Sequence, residues 1–306
     1  MTWALQFQGV HKYYGNQHVL RGLDLLVPER SVFAFLGNNG EGKSTAIRLL
    51  LGLAKMDRGE IRLFGSAVQK NKTESLRDVG CLVDSPSAYP NLNAREFLEI
   101  ARCIKDLPKS EIDRVLNLVG MKYAERVLIG KYSLGMKQRL ALGHALMGQP
   151  KLLVLDEPTN GLDPSGIQEI RSLIQSLPEQ TGTTVFVSSH QLDEVEKVAT
   201  HMALLRGGVA QFSSSLDQFR RASKADLVIE TSQGQQAFDV LRELGCEVTK
   251  VSETRVRVKK LMNYESWQLH QFLVNAGVRL QTSYFESVSL EQWFTQQMKT
   301  KQTEAI

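Results

Sequence analysis

The sequence predicts an α/β fold in which a parallel β-sheet carries its chemistry along one edge. Three apolar segments support this prediction, at residues 32–36, 152–155 and 184–187, because uninterrupted apolar runs are typical of parallel strands buried on both faces. Each segment runs directly into glycines or polar side chains. Since open parallel sheets bind their ligands at the carboxyl ends of the strands, the residues that follow these segments are the first candidates for a functional site.

A glycine-rich loop follows the first of these strands, and a helical segment follows the loop. The loop fits the pattern Gly-x4-Gly-Lys-Ser/Thr, in which backbone N–H groups turn toward phosphate oxygens and the next helix directs its positive dipole end at them. We expect Lys43 to reach the β- and γ-phosphates of ATP and Ser44 to hold Mg²⁺. All nine loop residues are predicted to bind ATP: Gly37, Asn38, Asn39, Gly40, Glu41, Gly42, Lys43, Ser44 and Thr45.

Two carboxylates end the second strand, and a histidine follows the third. Asp156 is predicted to anchor Mg²⁺ indirectly, as through a bound water, and Glu157 to act as the general base on the attacking water. His190 is predicted to sense the γ-phosphate, because an imidazole can donate to an anion and also hold the base or the water in place. The candidate catalytic residues are therefore Lys43, Glu157 and His190.

A fourth motif, Tyr-Ser-Leu-Gly-Met at residues 132–136, introduces an apolar helix. With the earlier motifs in this order, the chain resembles the ATP-binding cassette subunit of ABC transporters, whose signature is Leu-Ser-Gly-Gly-Gln. Ser133 and Gly135 match that signature, whereas Leu134 and Met136 depart from it. The resemblance implies that Ser133 and Gly135 bind the ATP held by the phosphate loop of a second protomer. A serine that caps a helix beside a glycine also suits an anion.

The resemblance covers residues 3 to about 220 and implies further parts of the site and the fold. Tyr14 matches the aromatic residue that stacks on adenine, although Tyr13 beside it leaves the assignment ambiguous by one residue. Asp163 lies in the loop after the catalytic acid and is a further candidate for nucleotide binding. The implied fold is a P-loop NTPase cassette with an antiparallel β subdomain and a helical lobe.

One departure from the family pattern is informative. Where the family carries a glutamine at a strand end, this chain has Asp84, directly after the apolar run at 79–83. Together with the signature segment, an acidic residue at this point resembles the subgroup associated with bacitracin and lantibiotic export or self-immunity. Asp84 is thus a candidate Mg²⁺ ligand, since a carboxylate can approach a metal but cannot donate a hydrogen bond as glutamine does. A tolerated substitution with little effect is the alternative.

Composition and charge narrow the functional classes. The 306 residues suggest two domains, and the three cysteines form no Cys-x-x-Cys pair, so neither a disulfide framework nor a zinc site is expected. No apolar run approaches a membrane span and the first residues lack secretory character, so we expect a cytoplasmic protein. The resemblance implies that membrane subunits hold it at the inner face of the cell membrane. The net charge of +4 is modest and dispersed, so no nucleic-acid partner is expected.

Residues 1–221 are predicted to form the nucleotide-binding domain and residues 222–306 a small accessory α+β domain. In the helical lobe of the first domain, we expect Asn93 to cap a helix at 94–104 and Ser110 to cap another at 111–119. The accessory domain has predicted strands at 226–230, 247–251, 255–259 and near 278–282, and helices at 235–244, at 264–276 and after Ser289. Arg255, Arg257 and Lys259 share one strand face, which we expect to be solvated rather than bound to anionic lipid.

The predicted function is an ATP-binding and ATP-hydrolysing subunit of an ABC transporter, which powers export of a peptide, an antibiotic or another drug-like substrate. The resemblance implies a head-to-tail homodimer, or pairing with a second cassette subunit, beneath two transmembrane subunits. A soluble cassette ATPase that acts on nucleic acid or as a regulator is the alternative. A P-loop kinase is disfavoured because it would not explain Ser133, Gly135 and His190 in this order.

Overall fold

A computed structural model of the chain describes residues 2–83, 88–217, 226–260 and 264–286. It divides the chain into two compact units, the first ending at Leu216 and the second starting at Asp217. The domain boundary predicted after residue 221, the candidate metal ligand Asp84 and the helix predicted after Ser289 lie outside the described residues. None of the described helices is long and apolar enough to cross a membrane.

The described part of the first unit, residues 2–83 and 88–216, contains ten strands and seven α-helices. The strands are β1 (Trp3–Tyr14), β2 (Gln17–Pro28), β3 (Val32–Leu36), β4 (Arg58–Leu63), β5 (Ser66–Ala67), β6 (Val79–Leu82), β7 (Leu152–Asp156), β8 (Thr184–Ser189), β9 (His201–Arg206) and β10 (Val209–Ser215). The helices are α1 (Lys43–Leu50), α2 (Lys72–Ser75), α3 (Ala94–Ile104), α4 (Ser110–Leu118), α5 (Leu134–Ala145), α6 (Pro164–Thr181) and α7 (Leu192–Val198). Single 3₁₀ turns lie at Lys122–Ala124 and Ile129–Lys131.

A six-stranded sheet forms the centre of this unit and confirms the predicted α/β fold. Its strand order is β10-β9-β3-β8-β7-β6, with β10 antiparallel to β9 and the other neighbours parallel. Every residue of β3 and β8 is buried, as expected of strands covered on both faces. The carboxyl ends of β3, β7 and β8 therefore lie side by side, where the phosphate loop, the two carboxylates and the histidine follow.

A second sheet is antiparallel, with the order β2-β1-β4-β5, and corresponds to the predicted antiparallel subdomain. Phe7 of β1 and Leu25 of β2 belong to the same buried cluster as Phe33, Phe35 and Phe186 of the central sheet. Burial of each such side chain stabilises the fold by about 1.5–3 kcal/mol. This shared core fixes the antiparallel sheet against the sheet that carries the phosphate loop.

Helices α3 and α4 form the helical lobe together with α5. The cap predicted for α3 is present, because Asn93 accepts a hydrogen bond from Glu96 N at 3.0 Å and Glu96 Oε2 accepts from Asn93 N at 2.9 Å. The cap predicted at Ser110 is wrong, since α4 already includes Ser110 and Lys109 precedes it without a capping side chain. A turn in which Glu111 N donates to the Pro108 carbonyl begins this helix instead.

Within residues 226–260 and 264–286, the second unit forms a four-stranded antiparallel sheet with two helices, which agrees with the predicted α+β class. Its elements are β11 (Asp226–Thr231), α8 (Gly234–Glu243), β12 (Glu247–Lys250), β13 (Arg255–Lys260), α9 (Ser266–Asn275) and β14 (Leu280–Glu286). The strand order is β12-β13-β11-β14. Its own buried cluster includes Leu227 and Ile229 of β11, Val256 of β13, Leu241 of α8 and Leu269 of α9.

The strand face that carries the basic residues of β13 is occupied by ion pairs. Arg255 lies 2.6 Å from Glu230, and Arg257 pairs with Glu286 and, at 3.8 Å, with Asp226. The two guanidinium groups are therefore neutralised within the sheet.

Candidate functional site

The phosphate loop connects β3 to α1, and its backbone requires glycine. Gly40 and Gly42 have φ values of 86° and 108°, in the left-handed region that other residues avoid. A Cβ at Gly37 would lie 2.8 Å from the Leu205 carbonyl oxygen. Gly42 also leaves α1 without a capping side chain, whereas α3, α5 and α6 each have one. The N–H groups of the first turn of α1 are thus left for an anion such as a phosphate.

Lys43, the first residue of α1, is buried and directs its ammonium group back into the loop. Its Nζ donates to the Gly37 carbonyl oxygen at 2.6 Å and to that of Asn38 at 3.3 Å, and it lies 3.5 Å from Glu157 Oε1. A cation in this position strengthens the attraction of the loop for phosphate. Ser44 and Thr45 follow on the same turn and are half-buried.

Glu41 ties the loop to the turn that follows β9, the strand paired with β3. Its Oε2 accepts a hydrogen bond from Gly207 N, in the turn between β9 and β10, at 2.5 Å. The side chain of Glu41 therefore holds the loop in place, and Asn39 and Gly40 remain exposed at its tip.

A hydroxyl group on β8 contacts both the carboxylate of Asp156 and the backbone of Glu157. Ser188 Oγ donates a short hydrogen bond to Asp156 Oδ1 and accepts one from Glu157 N at 3.1 Å. Glu157 has a φ of 50°, in the left-handed region, so its backbone turns sharply as it leaves the strand. Such strain in a residue other than glycine persists only where its surroundings impose it, and it concentrates at functional sites.

The carboxylate of Glu157 lies between two groups that can be cationic. Oε1 lies 3.5 Å from Lys43 Nζ, and Oε2 lies 2.5 Å from His190 Nδ1. Glu157 and His190 directly follow β7 and β8, and Lys43 begins α1 after the loop that follows β3, so the three side chains meet at the edge of the sheet that the sequence predicted. The structure thus brings Lys43, Asp156, Glu157 and His190 together.

Ser133, Gly135 and Asp163 form a second group, at the N-terminal ends of α5 and α6. Ser133 Oγ caps α5 by accepting from Met136 N at 3.2 Å, and Asp163 Oδ1 caps α6 by accepting from Gly166 N at 3.1 Å. A hydrogen bond from the Ser165 hydroxyl, and then that from Gly166 N, lower the pKa of Asp163. A Cβ at Gly135 would lie 4.0 Å from Gly166 Cα, so the two caps are close together. Ser133 is exposed and accessible to another molecule.

Two residues with clear roles in this geometry were not selected from the sequence. Ser188 is not among the residues predicted from the sequence, although a polar side chain at the end of a buried strand is a usable signal. Gln138, on α5, is buried and donates from Nε2 to the Pro158 carbonyl oxygen at 2.7 Å. This bond connects the helix after Ser133 to the segment that follows Glu157.

The two adjacent tyrosines, Tyr13 and Tyr14, have different surroundings. The ring of Tyr13 is stacked on His18, with centroids 3.9 Å apart and planes 13° from parallel. Tyr14 is 47% exposed, and Lys12 Nζ lies 5.0 Å above its ring. Tyr13 is 40% exposed, so both rings keep accessible surface; the ring of Tyr13 is stacked on another ring, whereas the neighbour of Tyr14 is a cation.

The available donors fit Mg²⁺ bound through a nucleotide rather than a metal held by protein alone. Among the described residues, no group of three or more histidine, cysteine, aspartate or glutamate side chains could hold a metal ion. Mg²⁺ commonly takes one or two protein oxygens and completes its shell with phosphates and water. Ser44 and Asp156 can supply such oxygens, and the hydrogen bond from Ser188 orients the carboxylate of Asp156.

Comparisons with known proteins agree with this geometry. The family model described as ABC transporter matches residues 20–160. The bacitracin transport ATP-binding protein BcrA of Bacillus licheniformis is 37% identical over 297 residues, which is 96% of this chain and 97% of the relative. The lantibiotic transport ATP-binding protein SrtF of Streptococcus pyogenes is 38% identical over 204 residues, 67% of this chain and 87% of the relative.

Solved structures share the same architecture. A structure of the ATP-binding subunit of an ABC transporter matches with a TM-score of 0.63 and 26% identity, over 72% of this chain and 92% of that one. CbiO1 from Clostridium perfringens, part of the ABC transporter complex CbiONQ, matches with a TM-score of 0.67 and 25% identity over the same shares of the two chains.

Proposed function

The chain belongs to the ABC transporter family of ATP-binding proteins, and we propose that it hydrolyses ATP to drive export of a peptide antibiotic through two transmembrane subunits. It is an ATP-binding cassette ATPase. One observation carries the catalytic part of the proposal: the carboxylate of Glu157 is held between Lys43 and His190, directly beside the phosphate loop. A carboxylate fixed beside bound phosphates is suited to take a proton from an attacking water.

In this mechanism, the loop N–H groups and Lys43 bind the phosphates, and Glu157 accepts the proton as water attacks the γ-phosphate. His190 holds Oε2 of Glu157, which leaves the carboxylate little freedom to rotate. The left-handed backbone of Glu157, and the hydrogen bond from its N–H to Ser188, fix the direction in which its side chain leaves the backbone. Positioning of this kind lowers the barrier because the groups need not reorganise during the reaction.

Mg²⁺ would be held by Ser44 and Asp156, with Asp84 as a further proposed ligand. When bound, the ion supplies positive charge to the phosphate oxygens. Ser188 keeps the Asp156 carboxylate oriented, so the metal site and the base share one supporting hydroxyl.

The group formed by Ser133, Gly135 and Asp163 supports a head-to-tail dimer. Ser133 is exposed at the N-terminus of α5, where the helix dipole and the small Gly135 favour an anion. We propose that this end closes over the ATP of a partner, either a second copy or another cassette subunit. Tyr14 would stack on the adenine.

The names of the relatives support the proposed cargo and location. Bacitracin and lantibiotic transport ATP-binding proteins are similar to this chain over most or all of its first unit. A peptide antibiotic is therefore the proposed cargo, and a peripheral position at the cytoplasmic face of the membrane the proposed location. In the family, membrane subunits contact the lobe near residues 89–92, where Tyr89 is 61% exposed.

We also propose that residues 222–306 form an accessory domain that tunes dimerisation or assembly without taking part in the chemistry. The separate buried cluster of the second unit supports this. A chain truncated after residue 221 should bind ATP within a few-fold of the full chain and differ in dimer affinity, measured by light scattering. Loss of ATP binding in a truncated chain that remains folded would contradict the proposal.

Transport is tested in cells that lack the chain. Reintroduced wild-type protein should raise the concentration of bacitracin or of a lantibiotic needed to stop growth, and Glu157→Gln at equal abundance should not. A tagged chain should also copurify with polytopic membrane proteins from detergent. Unchanged susceptibility to both peptides would contradict the proposed cargo, and a failure to associate with membranes would contradict the transporter role.

A further inference from the structure

Tyr14, which we proposed above to stack on adenine, lies beside a lysine that none of the nucleotide motifs includes. Lys12 and Tyr14 are two residues apart on β1, so their side chains share one face of the strand. Lys12 Nζ lies 5.0 Å from the centroid of the Tyr14 ring. A cation at this distance above an aromatic ring is attracted to the negative face of the ring.

Two further contacts hold the Lys12 ammonium group where it is. Its Nζ donates to the Lys55 carbonyl oxygen at 2.7 Å and lies 3.5 Å from Asp57 Oδ2. The same Asp57 oxygen accepts a hydrogen bond from Tyr13 N at 2.7 Å. That hydrogen bond, and then the charge of Lys12, lower the pKa of Asp57, so the carboxylate is ionised at neutral pH.

Each of the two tyrosine rings in this hairpin has one neighbouring side chain. The lysine side chain is only 12% exposed, although it ends beside a tyrosine that is 47% exposed. With Tyr13 stacked on His18 and Lys12 over Tyr14, each ring has one neighbour that limits its rotation. An exposed ring that is already oriented loses less entropy when a base stacks on it.

We propose that Lys12, anchored by Asp57 and the Lys55 carbonyl, is a positioning residue that holds the Tyr14 ring ready to receive the adenine of ATP. The proposal rests on the adenine-stacking role of Tyr14 given above. Lys12 should therefore affect binding of the adenine base but not binding of the phosphates. A general attraction between a surface cation and an anionic nucleotide would affect both.

The test compares the binding of MgATP and of inorganic tripolyphosphate, which lacks a base, to the full chain. Lys12→Met keeps the length of the side chain but removes the charge, and should weaken MgATP binding about two- to fivefold while leaving tripolyphosphate binding unchanged. Lys12→Arg should retain wild-type affinity for both. Asp57→Asn, which preserves an acceptor for Tyr13 N, should weaken MgATP binding in the same direction as Lys12→Met.

The matched control is Lys55→Met, which removes a neighbouring exposed cation but preserves the backbone carbonyl that holds Lys12. It should bind both ligands as the wild type does. Equal losses of ATP and tripolyphosphate binding in Lys12→Met, or no loss of either, would overturn the proposal.

Tyr14→Ala separates this inference from the function on which it rests. Loss of base stacking should weaken MgATP binding about 5- to 100-fold, and Lys12→Met should then have no further effect in the Tyr14→Ala background. If Tyr14→Ala binds ATP normally, the stacking role of Tyr14 is wrong and the proposal falls with it. If Tyr14→Ala is weakened but Lys12→Met adds its full effect to it, the stacking role stands and the positioning role of Lys12 is wrong.

Discussion

His190 Nδ1 lies 2.5 Å from Glu157 Oε2, which is a short distance for a hydrogen bond between an imidazole and a carboxylate. Glu157 directly follows β7 and His190 directly follows β8, and these two strands are parallel neighbours in the central sheet. Strand pairing therefore sets the contact, although 33 residues separate the two side chains. The other oxygen of Glu157 faces Lys43, so the carboxylate is held at both ends.

Removal of the His190 side chain should leave the Glu157 carboxylate in place but poorly oriented. We expect His190→Ala to lower the ATP turnover rate about 10²-fold, with the dissociation constant for ATP within a few-fold of wild type. Gln191→Ala, a change in the next residue, is the control and should keep normal turnover. Steady-state hydrolysis and nucleotide titration measure the two quantities, and normal turnover in His190→Ala would remove the histidine from the mechanism.

The hydroxyl of Ser188 serves both Asp156 and the backbone of Glu157. Ser188→Ala should raise the Mg²⁺ concentration needed for half-maximal hydrolysis and lower the maximal rate roughly tenfold, because hydrogen bonds to charged groups contribute about 1.5–3 kcal/mol. Ser189→Ala removes the neighbouring hydroxyl, which interacts with Gln191 N, and should change neither quantity. A Mg²⁺ titration of both variants decides the point; indistinguishable curves would show that Ser188 has no part in the metal site.

The left-handed backbone of Glu157 predicts an unusual order of stabilities. Glycine tolerates a φ of 50° and alanine does not, so Glu157→Gly should be more stable than Glu157→Ala by about 1 kcal/mol. At an ordinary position the order would be reversed, since glycine loses more entropy on folding. Urea denaturation of the two variants gives the comparison, and a more stable alanine variant would mean that this backbone strain is absent in solution.

Ion pairs in the helical lobe predict a pH-dependent stability. Hydrogen bonds from Arg95 and then Lys122 hold the pKa of Asp113 well below its usual range. A depressed pKa in the folded state stabilises the protein above the pKa of the unfolded carboxyl, near 4, and this stabilisation is lost as the pH falls toward the folded-state value. Asp113→Asn should therefore be less stable than wild type at pH 7, with the difference shrinking below about pH 4. Urea denaturation at pH 7 and pH 3 measures it, and a difference that does not change with pH would contradict this account.

The parts of the protein that local pattern determines were predicted well. Apolar runs predict the buried strands β3, β7 and β8. The glutamate three residues after Asn93 predicts the helix cap there. The left-handed turn at Glu157 and the bonds of Ser188 depend on contacts across 31 and 32 residues, which no local pattern records. The surroundings of Tyr13 likewise depend on His18, which lies on the partner strand. Ser110 failed as a cap because the backbone turn before it already begins the helix.

The central claim is that Glu157 is the base that activates water. The most direct test measures ATP binding and hydrolysis for the wild type, Glu157→Gln and Lys43→Ala under the same conditions. Glu157→Gln should bind ATP as the wild type does but hydrolyse it about 10²–10⁴-fold more slowly, whereas Lys43→Ala should fail to bind it well. Hydrolysis by Glu157→Gln at the wild-type rate, with ATP bound normally, would contradict the claim.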